Sequence, residues 1–365
     1  MQCGGGRLGP LQARHGSWVI GSCIPALAKG RSPIPSAVAR KCRLLSSLSV
    51  WGQRFLIHVW PRLSLWSRPE VMARKKLLLI RGLGHSGTTI LDLALGSHPS
   101  MIGLGEALRI LRTPSPGEGH RGPARLRAEL RHQRLCTCGR TASSCPVWGP
   151  LLEWLPAHDH YPLVEKLQQL LAEVDNHVKQ QGDAIEWMVE SYQDDMVLPF
   201  VDDPALEIRI LYLTRDVRSW VHSRSRDGRH KKHWLPALKP LLRWCRVNAR
   251  QERLLQVSGR PVFRLGYEQL ALDPETSLRR LCTWLEIPFD EQMLQPAQHS
   301  TSHILAGNRM RFDANRGASI RYDGAWLGHS SSLVQLALLL PWVRQLNQRL
   351  VYSKDHLLNH ESGSM

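Results

Sequence analysis

Short apolar runs alternate with longer stretches of helical spacing along most of this chain. Residues 77–80, Leu-Leu-Leu-Ile, form a continuous apolar run of the length expected for a buried parallel strand. A helical pattern follows over 90–95 and ends at Ser97-His98-Pro99, because proline cannot continue a helix. Residues 101–106 read as a short strand or turn leading to a carboxylate, Glu106. Apolar positions 163, 164, 167, 170, 171, 174 and 178 give 162–181 helical spacing. Residues 184–189 read as a second buried strand and 207–214 as a third, with a helix after it through Ser225. Residues 238–257 are amphipathic and helical, and 262–266 form a further short strand. Residues 274–285 make a helix with Asp273 as its cap and Pro274 in its first position. This alternation predicts an α/β fold with a mostly parallel sheet and helices on both faces.

Composition divides the chain. It has 365 residues, 42% apolar and 22% charged, enough for a packed core. The net charge is +17, yet residues 1–69 hold ten Lys or Arg and no acid, the first being Glu70. We therefore expect a basic N-terminal extension over 1–70 and one folded domain over 71–360. The extension fits a targeting peptide, a disordered basic tail, or translation that begins at Met72. Residues 44–66 are interrupted by Arg54, His58, Pro61 and Arg62 and make a poor membrane span. A cytoplasmic protein is expected, with an organellar one as the alternative if 1–70 is a transit peptide. Residues 112–150 form a Pro-, Gly- and Cys-rich insertion. Three of the eight cysteines, Cys136, Cys138 and Cys145, fall within ten residues of it. They fit a zinc site completed by His132 or a distant group, a local disulfide, or three reduced thiols.

The apolar run at 77–80 enters Gly82-Leu83-Gly84-His85-Ser86-Gly87-Thr88-Thr89 and then the helix. A strand, a glycine-rich turn and a helix in that order aim backbone N–H groups and a positive helix end at a phosphate-like anion. Gly82 and Gly87 occupy the two glycine positions of the nucleoside-triphosphate P-loop, but Thr88 stands where that loop has lysine. The cradle is kept and ordinary triphosphate chemistry is not. His85 becomes the candidate cation. Further chemistry is expected past strand ends, at Glu106, at Arg215 to Ser223, and over 303–311.

These residues resemble the sulfotransferases that use 3′-phosphoadenosine 5′-phosphosulfate (PAPS). Gly84-His85-Ser86-Gly87-Thr88-Thr89 is similar to their 5′-phosphosulfate loop. Leu213-Thr214-Arg215-Asp216-Val217-Arg218 with Ser223 is similar to their 3′-phosphate motif, in which an arginine and a serine eight residues later hold the 3′-phosphate. Tyr267-Glu268-Gln269-Leu270 and Gly307-Asn308-Arg309-Met310-Arg311 also resemble stretches of the family. The Cys-x-Cys-Gly segment resembles a loop in a largely bacterial branch. The resemblance covers about 77–350 and implies a P-loop-like sulfotransferase fold with PAPS as co-substrate. It assigns the donor to Gly84, His85, Ser86, Gly87, Thr88, Thr89, Arg215, Ser223, Asn308, Arg309 and Arg311.

The resemblance also suggests the catalytic groups. In the protein-tyrosine branch a glutamate follows a histidine-proline turn, 21 residues after the loop cation, and Glu106 keeps that interval from His85. Glu106 is thus expected to remove the acceptor's proton, with His85 stabilising the leaving group. The bland alternative is that Glu106 merely caps a helix beginning near Ala107. His98 and His303 are second candidates for the base. No metal is expected. The rival functions are a kinase with a degenerate P-loop and a non-catalytic binder of nucleic acid drawn by the basic surface, although no stacking platform or zinc-finger spacing supports the latter. The acceptor is expected to be a sugar, a lipid, a small metabolite or a protein.

Overall fold

The structure, a computed structural model, describes residues 74–113, 134–193, 195–226, 237–329 and 332–358. The basic N-terminal extension, most of the Pro/Gly loop, His132 and the basic run after Arg226 lie outside the described residues. Five strands form one sheet: β1 (Lys75–Gly82), β2 (Met101–Gly103), β3 (Trp187–Glu190), β4 (Leu206–Thr214) and β5 (Val262–Gly266). Their order is β2-β3-β1-β4-β5 and every pairing is parallel. The apolar run that opens the chain's chemistry is therefore the central strand. Parallel pairing also explains the unbroken apolar sequence of β1, whose two faces are both covered.

Side chains alternate between two cores along the strands. Leu77 and Leu79 of β1, with Ile208, Ile210 and Tyr212 of β4, face one core. Leu78 and Ile80, with Leu211 and Leu213, face the other. The first is closed by α3 (Trp148–Trp154), α4 (Leu163–Gln181) and α6 (Leu238–Val257), through buried Trp148, Leu167, Leu171, Leu241 and Trp244. The second is closed by α1 (Thr88–Leu95) and α8 (Pro274–Leu285), through Ile90, Leu91, Leu278 and Leu281. Shorter helices α2 (Ala107–Leu111) and α7 (Tyr267–Leu272) follow β2 and β5, and α5 (Val217–Arg226) follows β4.

The helix over 274–285 has the expected ends: Pro274 takes its first position and the Asp273 carboxylate accepts from Thr276 N at 3.2 Å. β3 starts three residues later than the apolar pattern suggests. The Glu186 and Trp187 N–H groups both donate to Ser100 O, at 2.9 and 3.1 Å, so the chain joins the sheet only at Trp187. Among the described residues no helix is long and apolar enough to cross a membrane.

Candidate active site

The turn after β1 is built so that its carbonyls face protein. Gln251 Nε2 donates to Gly82 O (3.2 Å), Trp220 Nε1 to Gly84 O (2.8 Å), and Arg215 Nη1 to His85 O (3.1 Å). Ser86 N–H closes the turn onto Leu83 O at 3.2 Å. The first N–H groups of α1 are left with no partner inside the helix. They open on a cavity of about 770 Å³ lined by Gly84, His85, Gly87, Thr88 and Thr89 among others. Gly87 has φ 95°, and a Cβ there would lie 2.7 Å from the Tyr267 ring. His85 also has positive φ, 76°, a strained state for a residue with a side chain that fits a site held in shape from outside.

Arg215, at the carboxyl end of β4, lines the same cavity with Ser223. Its guanidinium is buried over the Tyr267 ring, 4.6 Å from the centroid. It donates to Ser219 Oγ (2.7 Å) and to Asp323 Oδ2 (2.9 Å). The neighbouring Asp216 is not its partner: that carboxylate takes Arg218, Asn347 and Tyr352 instead. Arg215 beside Asp323 holds the Asp323 carboxyl below its usual range against the opposing effect of burial. On α5, one face carries Ser219, Ser223 and Arg224 towards the loop. Arg224 Nη1 lies 2.8 Å from His85 Nε2, and Ser223 Oγ lies 3.5 Å from Nδ1. The guanidinium can only donate, so Arg224 brings a fixed positive charge beside His85.

Glu106 reaches the cavity from the end of β2. It occupies the N-cap position of α2, but its side chain makes no cap hydrogen bond. The carboxylate accepts from Arg109 Nη1 at 2.8 Å, and Glu106 N–H is fixed to Ala306 O at 2.9 Å. Two other carboxylates lie beneath it, sealed from solvent. Glu190 pairs with Arg81 (2.8 Å), which also holds Asp195 (2.9 Å). Asp92 accepts from Ser191 Oγ at 2.5 Å, and burial pushes its carboxyl up to about 7. Neither lines the cavity, so of these three acids Glu106 is the one that a ligand there can meet.

The remaining candidates divide. Asn308 lines the cavity, its Oδ1 accepting from Met310 N at 3.0 Å. Arg311 does not. It is buried, and its Nη groups donate to the carbonyls of Leu305, Gly307 and Asn308 (3.2, 2.8 and 2.9 Å), so it serves its own loop rather than the cavity expected of it. Arg309 is exposed outside the lining, and buried Ser86 serves the turn. His98 is held by Pro288 O (2.8 Å) and Ser100 N (3.0 Å), away from the cavity. His303 lies among Cys136 and Cys145. The sequence reading missed Arg109, Arg316, Arg321 and Asp323, which line the cavity, and Arg224 beside His85. Arg109 is one helical turn past Glu106, a signal that was available. Arg316, Arg321 and Asp323 depend on the segment after Gly307 folding back onto the site, and Arg224 on α5 facing His85. Four lining arginines against two carboxylates make the cavity suited to an anion.

A search of curated proteins finds no match. Among solved structures the chain is similar to the sulfotransferase domain from the Synechococcus PCC 7002 olefin synthase, at 17% identity over 80% of this chain and 100% of that one, with a TM-score of 0.40. It is also similar to the sulfotransferase domain from the curacin biosynthetic pathway, at 17% identity over 76% and 97%, with a TM-score of 0.39. The profile of the Sulfotransferase family matches residues 78–291, more than half of the chain, from within β1 to past α8. The chain belongs to the sulfotransferase family.

Proposed function

We propose that the protein transfers a sulfuryl group from PAPS to a hydroxyl or amine acceptor. The observation that carries this reading is convergence: the 84–89 loop, the Arg215 and Ser223 pair, and Glu106 all line one cavity. The 5′-phosphosulfate sits on the N–H groups at the start of α1, beside His85 and Arg224. The 3′-phosphate takes the Arg215 fork and Ser223, displacing Asp323 from the guanidinium. Glu106 accepts the acceptor's proton as its oxygen or nitrogen attacks sulfur in line. The bond from sulfur to the new atom forms as the bond from sulfur to the 5′-phosphate oxygen breaks. Adenosine 3′,5′-bisphosphate leaves, its charge met by the loop N–H groups. No step in this scheme passes through a metal.

Calorimetric titration with adenosine 3′,5′-bisphosphate, AMP and ATP tests the donor. We expect selective binding of the bisphosphate and a loss of ~10–100-fold in Arg215→Ala, the worth of about one charge-assisted hydrogen bond. Ser223→Ala, which leaves the buried guanidinium intact, should lose a smaller factor in the same direction. ATP binding as well as the bisphosphate would overturn the reading.

A further inference from the structure

The Cys-rich loop holds a cluster that the transfer scheme does not use. Cys136, Cys138 and Cys145 come together with His303, which arrives from 158 residues beyond Cys145, and their ligand atoms all lie within 4.8 Å of one another. We propose that these four residues bind one structural zinc ion. A tetrahedral zinc with Zn–S of about 2.3 Å and Zn–N of about 2.05 Å puts two sulfurs about 3.8 Å apart and a sulfur and a nitrogen about 3.6 Å apart. The Cys136–Cys145 and Cys138–Cys145 sulfurs are 3.7 and 3.8 Å apart. His303 Nδ1 lies 3.2 Å from Cys145 Sγ and 3.9 Å from Cys136 Sγ, on either side of the tetrahedral value.

The surroundings are those of a ligand shell. The N–H groups of Cys138, Arg140 and Trp148 face the sulfurs of Cys136, Cys138 and Cys145, one donor for each. Gly139 has φ 81°, with its N–H on Cys136 O at 3.0 Å, which turns the Cys-x-Cys pair back on itself. Trp148 Nε1 donates to His303 O at 2.6 Å, and Thr137 N–H to Ile304 O at 3.3 Å, so the histidine's own backbone is docked on the loop. A disulfide would join two of the sulfurs and leave the third thiol and the imidazole without a task. Four protein ligands fill a tetrahedral shell, so the ion is structural, with no open position for a substrate. Binding displaces three thiol protons to solvent. This revises the expectation of no metal: the ion stands outside the transfer step.

Its place suggests its use. Segment 302–306 lies along the edge of β2, with His303 N–H on Gly103 O (2.8 Å) and Ala306 O on Glu106 N (2.9 Å). The zinc thus ties the Cys loop to the segment that seats Glu106.

The test is metal analysis of the full chain purified without a polyhistidine tag or chelator. About one zinc per chain is expected, falling at least fivefold in a folded Cys138→Ser/Cys145→Ser variant. Cobalt(II) substitution of the unmodified protein is the second arm, and needs no variant to fold. Intense visible bands of tetrahedral cobalt with a sulfur-to-cobalt charge-transfer band are expected. Folded protein that stays metal-free in added zinc would overturn the proposal. So would weak octahedral cobalt bands, or a disulfide among these cysteines in the native protein.

Discussion

Arg215 meets a carboxylate, Asp323 Oδ2 at 2.9 Å, where the proposed donor would bring a phosphate. A half-exposed aspartate is a weak rival for a buried guanidinium, because solvent screens the pair. A dianion held by the fork and by Ser223 displaces it at little cost. Glu106 is a different case. It is the cavity-facing member of a group of three acids, and its backbone is fixed at both the β2 and the 306 side. Glu106→Gln keeps the shape and removes the proton acceptor. We expect turnover to fall ~10²–10⁴-fold, the usual worth of a general base, with bisphosphate affinity unchanged. Turnover above a tenth of the parent's would remove Glu106 from that role. The interval from His85 made Glu106 legible in the sequence. Arg224 was not, because its part depends on α5 presenting it to His85 across 139 residues of chain.

Among the elements, the turn from β1 to α1 is the most constrained. Three side chains from α5, α6 and the end of β4 hold its carbonyls, and the Tyr267 ring packs against Gly87. Alanine at position 87 would meet both a positive φ and that ring. Gly87→Ala should lower stability by ~1–3 kcal/mol in urea unfolding and weaken bisphosphate binding together. A variant with parental stability and binding would show that the turn tolerates a side chain. Most elements could be read from the apolar pattern because each is long enough to complete its own period, as α6 and α8 do. The start of β3 could not, because Ser100 O captures two N–H groups that the pattern assigns to a strand. The short helical turns from Pro296 on were missed for another reason: four-residue elements such as Pro296–His299 and Ala314–Gly317 carry barely one helical period, too little for a pattern to repeat.

For the whole molecule, the buried carboxyls beneath the sheet's functional edge set a pH dependence. Burial raises Asp92 to about 7 and Glu268 to about 7, from unfolded values near 4. The folded state therefore binds more protons than the unfolded chain between these limits. The stability they support is complete below about pH 4 and is lost as pH rises through about 7, at no more than about 1.4 kcal/mol per pH unit for each group. Asp92→Asn removes one such group while keeping an acceptor for Ser191. Its stability relative to the parent should rise between pH 4 and 7 and level off above. A constant difference across that range would mean that Asp92 does not titrate there.

The sequence by itself determined the α/β class, the buried strand β1 and the glycine-rich turn after it, the strand-end arginine and the interval to Glu106. These are local patterns, written in apolar periodicity and in residues a few positions apart. Tertiary structure alone decided that Arg311 serves its own loop, that Asp323 sits on Arg215, and that His303 belongs with three cysteines rather than with the cavity. Each of those pairings joins groups more than a hundred residues apart or depends on how one loop folds back, and nothing in the spacing of a linear chain encodes such contacts.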